Sequence, residues 1–144
     1  MFDRFTDPAR HAMFVARKNA FLAGCSSIES HHLLSALLAG QDPEFAALLD
    51  QAGVSRDRLV SALGRVPATP PTEADARREI PFSDEFKGVL SIAQEEADAL
   101  SNATIGSGHL LLALLRAEEG SAGGVLTSSG GRAEAVRLAL RGTV

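Results

Sequence analysis

Four histidines, a single cysteine and two serines standing close to histidines are the residues of this 144-residue chain whose types could carry chemistry. His31 and His32 are adjacent, Cys25 lies shortly before them, His109 comes much later, and His11 sits near the amino end. Imidazole and thiolate together can hold zinc, but neither a Cys-x-x-Cys pair nor a His-Glu-x-x-His helix, the usual spacings of zinc sites, occurs. Ser30 and Ser107 each precede a histidine by two residues, yet no Gly-x-Ser-x-Gly turn exists to expose a nucleophile. A Gly-x-x-x-x-Gly-Lys-Ser/Thr phosphate cradle is also missing, so the chain does not hydrolyse ATP by itself. The expectation is a protein with no catalytic residue, no metal and no cofactor, in which Cys25 is a small packing residue.

The elements around these residues explain the histidines better. "HHLLSALLAG" starts at His31 and "GHLLLALLRA" at Gly108, and the match extends without a gap when Phe5 to Leu63 is laid on Phe82 to Leu140. Phe5, Asp7, Ala16, Ala20, Ile28, Ser30, His32, Leu49 and Gly53 recur as Phe82, Asp84, Ala93, Ala97, Ile105, Ser107, His109, Leu126 and Gly130. The chain is an internal duplication whose period is too long for a solenoid unit, so each copy should be a multi-helix half. Recurrence of His32 as His109 at the start of equivalent helices points to a structural hydrogen bond in each copy. We place repeat one at 5–64, a proline-rich linker at 65–81 and repeat two at 82–141, in a single domain over 1–144.

The pattern is all-α, with eight helices as two four-helix repeats about a pseudo-two-fold axis. Thr6 and Ser83 are N-cap residues followed by acidic first turns. Ala9, Ala12, Met13, Ala16 and Ala20 form a helical stripe matched by Phe86, Val89, Leu90, Ala93 and Ala97. Ser30 and Ser107 are expected to cap second helices so apolar that they must be central. Third helices should stop at Gly53 and Gly130, where a left-handed residue is needed, and the glycine-rich Ser121 to Ser128 stretch should form the poorer one. Fourth helices are expected at about 55–63 and 132–140, with Leu59, Val136, Leu63 and Leu140 inward.

Composition excludes several function classes. The net charge is −4, from 14 basic and 18 acidic residues scattered along the chain, without the clustered Lys and Arg of a nucleic-acid footprint. No apolar run is long enough to span a membrane, and the amino end lacks the apolar stretch of a secretory signal, so a cytoplasmic location is expected.

"RFTDPARHAMFVA", the serine-x-histidine opening of "HLLSALL", and "IPFSDEFKGVLSIA" followed by "GHLLLALL" resemble the amino-terminal Clp repeat domain of Clp-type AAA+ unfoldases, above all the ClpC type. The resemblance runs through both copies in order. It implies a non-catalytic domain that recognises peptides, substrates or adaptors for a Clp unfoldase and its protease. An alternative left open is a stand-alone decoy that sequesters cyclic peptide antibiotics or adaptors away from the unfoldase. In the resembled family, a surface made by the amino terminus, the first helix and the start of the second half receives peptide-like ligands, including cyclic peptide antibiotics. Carried to this sequence, it implies Phe2, Met13, Phe82 and Lys87 as ligand-binding residues, with Arg10 beside them. Some ClpC-type domains also bind phosphorylated arginine through a glutamate just before the histidine of each repeat. The matching residues here are His31 and Gly108, so phosphoarginine binding is not expected.

Overall fold

The computed structural model describes residues 3–22, 24–25, 27–40, 42–63, 81–117, 126 and 130–141. Seven helices lie within them. In the first half these are α1 (Asp7–Leu22), α2 (Ser30–Ala39), α3 (Pro43–Gln51) and α4 (Arg56–Leu63); in the second, α5 (Asp84–Ala99), α6 (Ser107–Arg116) and α7 (Ala133–Arg141). The all-α class follows the sequence pattern, and among the described residues every helix has its equivalent except α3. Its counterpart was expected at 121–128, which lies outside the described residues apart from Leu126, a helical and fully buried residue. The linker apart from Pro81, Phe2 and the side chain of Leu63 also lie outside them.

The caps show why the helices begin where they do. Thr6 Oγ1 accepts from the Ala9 N–H and Ser83 Oγ from the Phe86 N–H, each satisfying a first-turn donor that has no partner within the helix. Ser30 and Ser107 do not cap α2 and α6: they are the first helical residues, and Glu29 and Gly106 are the caps. The reason is His32 and His109 at the third helical position. Their Nδ1 atoms accept the N–H of Glu29 at 2.9 Å and of Gly106 at 3.0 Å, the reach-back half of a capping box. The fold therefore uses a histidine where Glu or Gln is the common choice.

Gly53, just past α3, and Gly130 have φ of +76° and +97°, a region in which a side chain is strained. Helices α2 and α6 lie at the centre. Leu33, Leu34, Leu110, Leu111, Leu112 and Leu114 are fully buried, and α6 packs on α1, α2, α3, α5 and α7. The alanine pairs Ala16–Ala20 and Ala93–Ala97 are fully buried, consistent with the close packing of α1 on α2 and α5 on α6.

The two halves are crossed. Phe5 pairs in parallel with Ile105, and Ile28 with Phe82. Thr6 N–H donates to Ile105 O and Ile105 N–H to Arg4 O; in the equivalent places, Ser83 N–H donates to Ile28 O and Ile28 N–H to Pro81 O. Each half thus lends its entry segment to the turn before the other half's central helix. Arg4 reinforces one crossing, donating to the carbonyls of Asn102 and Ala103 and pairing with Asp98 at 2.9 Å.

Candidate functional site

Where chemistry was conceivable, the polar groups are engaged in structure. The Nδ1 of His32 and of His109 accepts a backbone N–H, so the neutral rings carry their proton on Nε2. In His109 that nitrogen lies 2.9 Å from Asn102 Oδ1, and in His32 it lies 3.6 Å from Cys25 Sγ. Burial pushes the pKa of both imidazoles down, to about 4 for His32, where the neighbouring His31 adds to the effect and Glu85 opposes it. A base with its lone pair spent on its own N-cap cannot take a proton from a serine. Both serines, moreover, face carboxylates: Ser30 Oγ donates to Glu85 Oε1 at 2.7 Å, and Ser107 Oγ to Asp42 Oδ2.

Those two contacts are not equivalent, and their difference opens a groove. Ser30 is met by Glu85 from the first turn of α5, whose Oε1 also accepts the Ser30 N–H at 2.8 Å. The residue equivalent to Glu85 in repeat one is Pro8, which has no carboxylate to send across to Ser107. A groove of about 320 Å³ lies there, between the start of α1, the end of α2, the start of α3 and Ser107. Its floor is apolar, with Ala12, Ala36 and Leu37, while Asp7, His11 and Asp42 bring polar groups. Asp42 is partly committed, since its Oδ1 accepts the Glu44 N–H at 3.1 Å. Burial, and then the Asp42 charge, raises the Glu44 pKa. Sequence reading missed the groove because it depends on Pro8 replacing an acidic residue across a tertiary contact; comparison of the two copies at that position was the available signal.

The residues implied by resemblance are distributed as follows. Arg10 is exposed, with its Nη2 donating to Phe5 O at 2.9 Å. Lys87, its repeat equivalent, is exposed on α5. Phe82 is half-buried and stacks on the fully buried Phe86, with centroids 4.9 Å apart. Met13 is 4% exposed and belongs to the core, so it offers no open surface for a ligand. Arg10 reaches the Phe5–Ile105 crossing through Phe5 O, and Lys87 follows by one turn Ser83, whose N–H donates to Ile28 O at the Ile28–Phe82 crossing. The missing glutamates are accounted for differently in each repeat. His31 holds the first position, 3.6 Å from Glu29 Oε2. Gly108 holds the second, where a Cβ would come within 2.6 Å of Leu140 and 2.8 Å of Leu48, so a side chain there would have to push aside leucine methyl groups of α3 and α7.

No helix among the described residues is long and apolar enough to cross a membrane. Comparison with known proteins matches the Clp repeat (R) N-terminal domain over residues 4–129 and 81–143. The chain is 38% identical over 137 residues to an uncharacterized protein of Mycobacterium tuberculosis, covering 93% of this chain and 52% of that protein. It is 34% identical over 134 residues to the chloroplastic chaperone protein ClpC of Pisum sativum, covering 90% of this chain and 14% of ClpC. The chain thus spans about half the length or less of these curated relatives. Among solved structures, the N-terminal domain of the chaperone ClpD from Arabidopsis thaliana superposes with a TM-score of 0.68 at 26% identity, covering 96% of both chains. The Hsp104 N-terminal domain from Candida albicans shares the fold, with a TM-score of 0.74 at 23% identity over 99% of this chain and 94% of that one. The crossed helical repeats, the histidine-closed caps and these matches together place the chain in the Clp repeat N-terminal domain family.

Proposed function

We propose that this chain is a non-catalytic recognition module that binds peptide segments of substrates or adaptors for a Clp-type unfoldase and its protease in the cytoplasm. The groove beside Pro8 is the observation that supports it most: an open apolar floor with carboxylates at its edge suits an extended peptide carrying apolar and basic side chains. Half-buried Phe82, with Lys87 on the next turn, adds an aromatic anchor at the related crossing. Phe2, Arg10 and the cyclic peptide antibiotics bound by similar domains belong to the same reading.

The test is degradation of fluorescein-labelled casein by a ClpC-type unfoldase and its peptidase, with the chain added in trans. A module that delivers segments raises the rate, and one that sequesters them lowers it; the latter result selects the decoy reading. An unchanged rate, with no casein bound to the chain, contradicts both.

A further inference from the structure

The first turn of α2 carries more ligating chemistry than its capping role requires. In repeat two the histidine-closed cap is built with Gly106 as the cap and Gly108 between it and His109. Repeat one builds the same cap with Glu29 and His31 in those positions and Cys25 where repeat two has Asn102. The fold does not demand these donors, because its own second copy does without them.

Glu29, His31 and His32 each offer one ligand atom, and these atoms all lie within 4.8 Å of one another. Glu29 Oε2 is 3.6 Å from His31 Nδ1, and the His31 and His32 rings are 4.1 Å apart. Tetrahedral zinc, with bonds of about 2.0–2.1 Å to nitrogen and oxygen, separates its ligand atoms by roughly 3.3 Å, so small side-chain rotations close the set. His31 and Glu29 are partly exposed, which gives an ion a path from solvent.

We propose that Glu29, His31 and His32 bind a Zn²⁺ ion, with water completing the shell. His32 enters through Nδ1. Its Nε2–H stays directed at Cys25 Sγ, the outer contact that fixes the tautomer of a metal-bound imidazole. Nδ1 has one lone pair, so the ion displaces the Glu29 N–H, and zinc binding is exchanged against the N-cap hydrogen bond of α2. A cation at a helix N-terminus meets an unfavourable dipole, which the carboxylate of Glu29 and that of Glu85, held on Ser30, offset. No oxidation or proton loss from a carbon or sulfur atom is involved; coordination to the neutral imidazoles and the ionised Glu29 is the whole step.

Zinc chloride is titrated calorimetrically into the tag-free chain in a non-coordinating buffer, with magnesium chloride as control, and amide exchange at Glu29 is followed by NMR. One saturable zinc equivalent, no magnesium heat and faster Glu29 exchange are expected. Glu29→Gln and His31→Gln, both at partly exposed positions, should each weaken binding by about tenfold or more. His109→Gln should leave it unchanged. Circular dichroism verifies that each variant is folded. Absence of zinc binding at about 1 mM, wild-type affinity in both first-turn variants, or binding that leaves the Glu29 amide protected would overturn the assignment.

Discussion

Gly53 and Gly130, equivalent residues of the two repeats, meet each other: a Cβ on Gly130 would stand 2.9 Å from the carbonyl oxygen of Gly53. Two equivalent left-handed glycines therefore form part of the contact between the halves. Gly130→Ala combines a φ of +97° with a backbone clash, and neither can be relieved by rotating a side chain. Thermal or urea unfolding should show a loss of about 2–4 kcal/mol. Gly88→Ala, on a helix and with nothing within 4 Å of the added methyl, should be neutral or stabilising by up to about 1 kcal/mol. Equal stability of both variants would contradict the packing described.

Glu96 ties three helices together. It is 5% exposed, and its carboxylate meets Arg116 at 2.7 Å and Arg137 at 3.1 Å. Burial alone would raise its pKa, but the hydrogen bonds and charges of Arg137 and Arg116 outweigh that and hold it below the ordinary carboxylate range. Repeat one has Asn19 in the equivalent place, with Ala39 and Val60 where the arginines would be. Glu96→Gln should cost about 2 kcal/mol by chemical denaturation, less than a fully enclosed pair because both arginines reach solvent. A change below about 0.5 kcal/mol would remove the cluster from the account of stability.

Acid should unfold the domain through its capping histidines. Both are held neutral in the fold with depressed pKa values, so the unfolded chain takes up protons first as pH falls below 6.5. The stability they contribute is complete above that pH and is lost down to about pH 4, the folded value for His32. The loss from His32 alone should be roughly 3 kcal/mol across this window, and His109 adds to it. His109→Gln keeps an acceptor for the Gly106 N–H and removes one titration, so denaturation at a series of pH values should show a shallower decline. An unaltered slope would contradict the assigned role.

A phosphoarginine peptide should bind no better than its unmodified control. Leu48 and Leu140 fill the space beside Gly108, and an imidazole stands at position 31. Calorimetry with the paired peptides checks this; clear preference for the phosphorylated one would implicate Glu29 or Asp42 as a substitute carboxylate.

Much of the fold was legible because a duplicated sequence states its core twice. The buried stripes of α1 and α5, the central leucines and the left-handed residues at Gly53 and Gly130 follow from periodicity and from the match between copies. Ser30 and Ser107 misled as caps because local propensity favours serine there, whereas the side chains of His32 and His109 reach back to the preceding residue. The inward face of Met13 was visible in the helical stripe, although the resemblance placed it on a binding surface. What could not be read is tertiary: which residue Glu85 would meet, the crossing of entry segments between halves, and the closure of Gly108 by leucines far away in sequence.

The central claim, recognition of peptide segments at the junction of the repeats, is tested most directly by fluorescence anisotropy of labelled casein titrated with the chain. Saturable binding is predicted, weakened by Asp7→Lys in the groove; because Asp7 is exposed but stands in the first turn of α1, the reversal should also cost about 0.5–1 kcal/mol of stability, read as a small drop in melting temperature beside the loss of binding. Phe82→Ala should weaken binding by about 1–3 kcal/mol and also lower the melting temperature, since the ring packs on Phe86. No binding by the wild type at about 1 mM, or binding indifferent to both substitutions, would contradict the account.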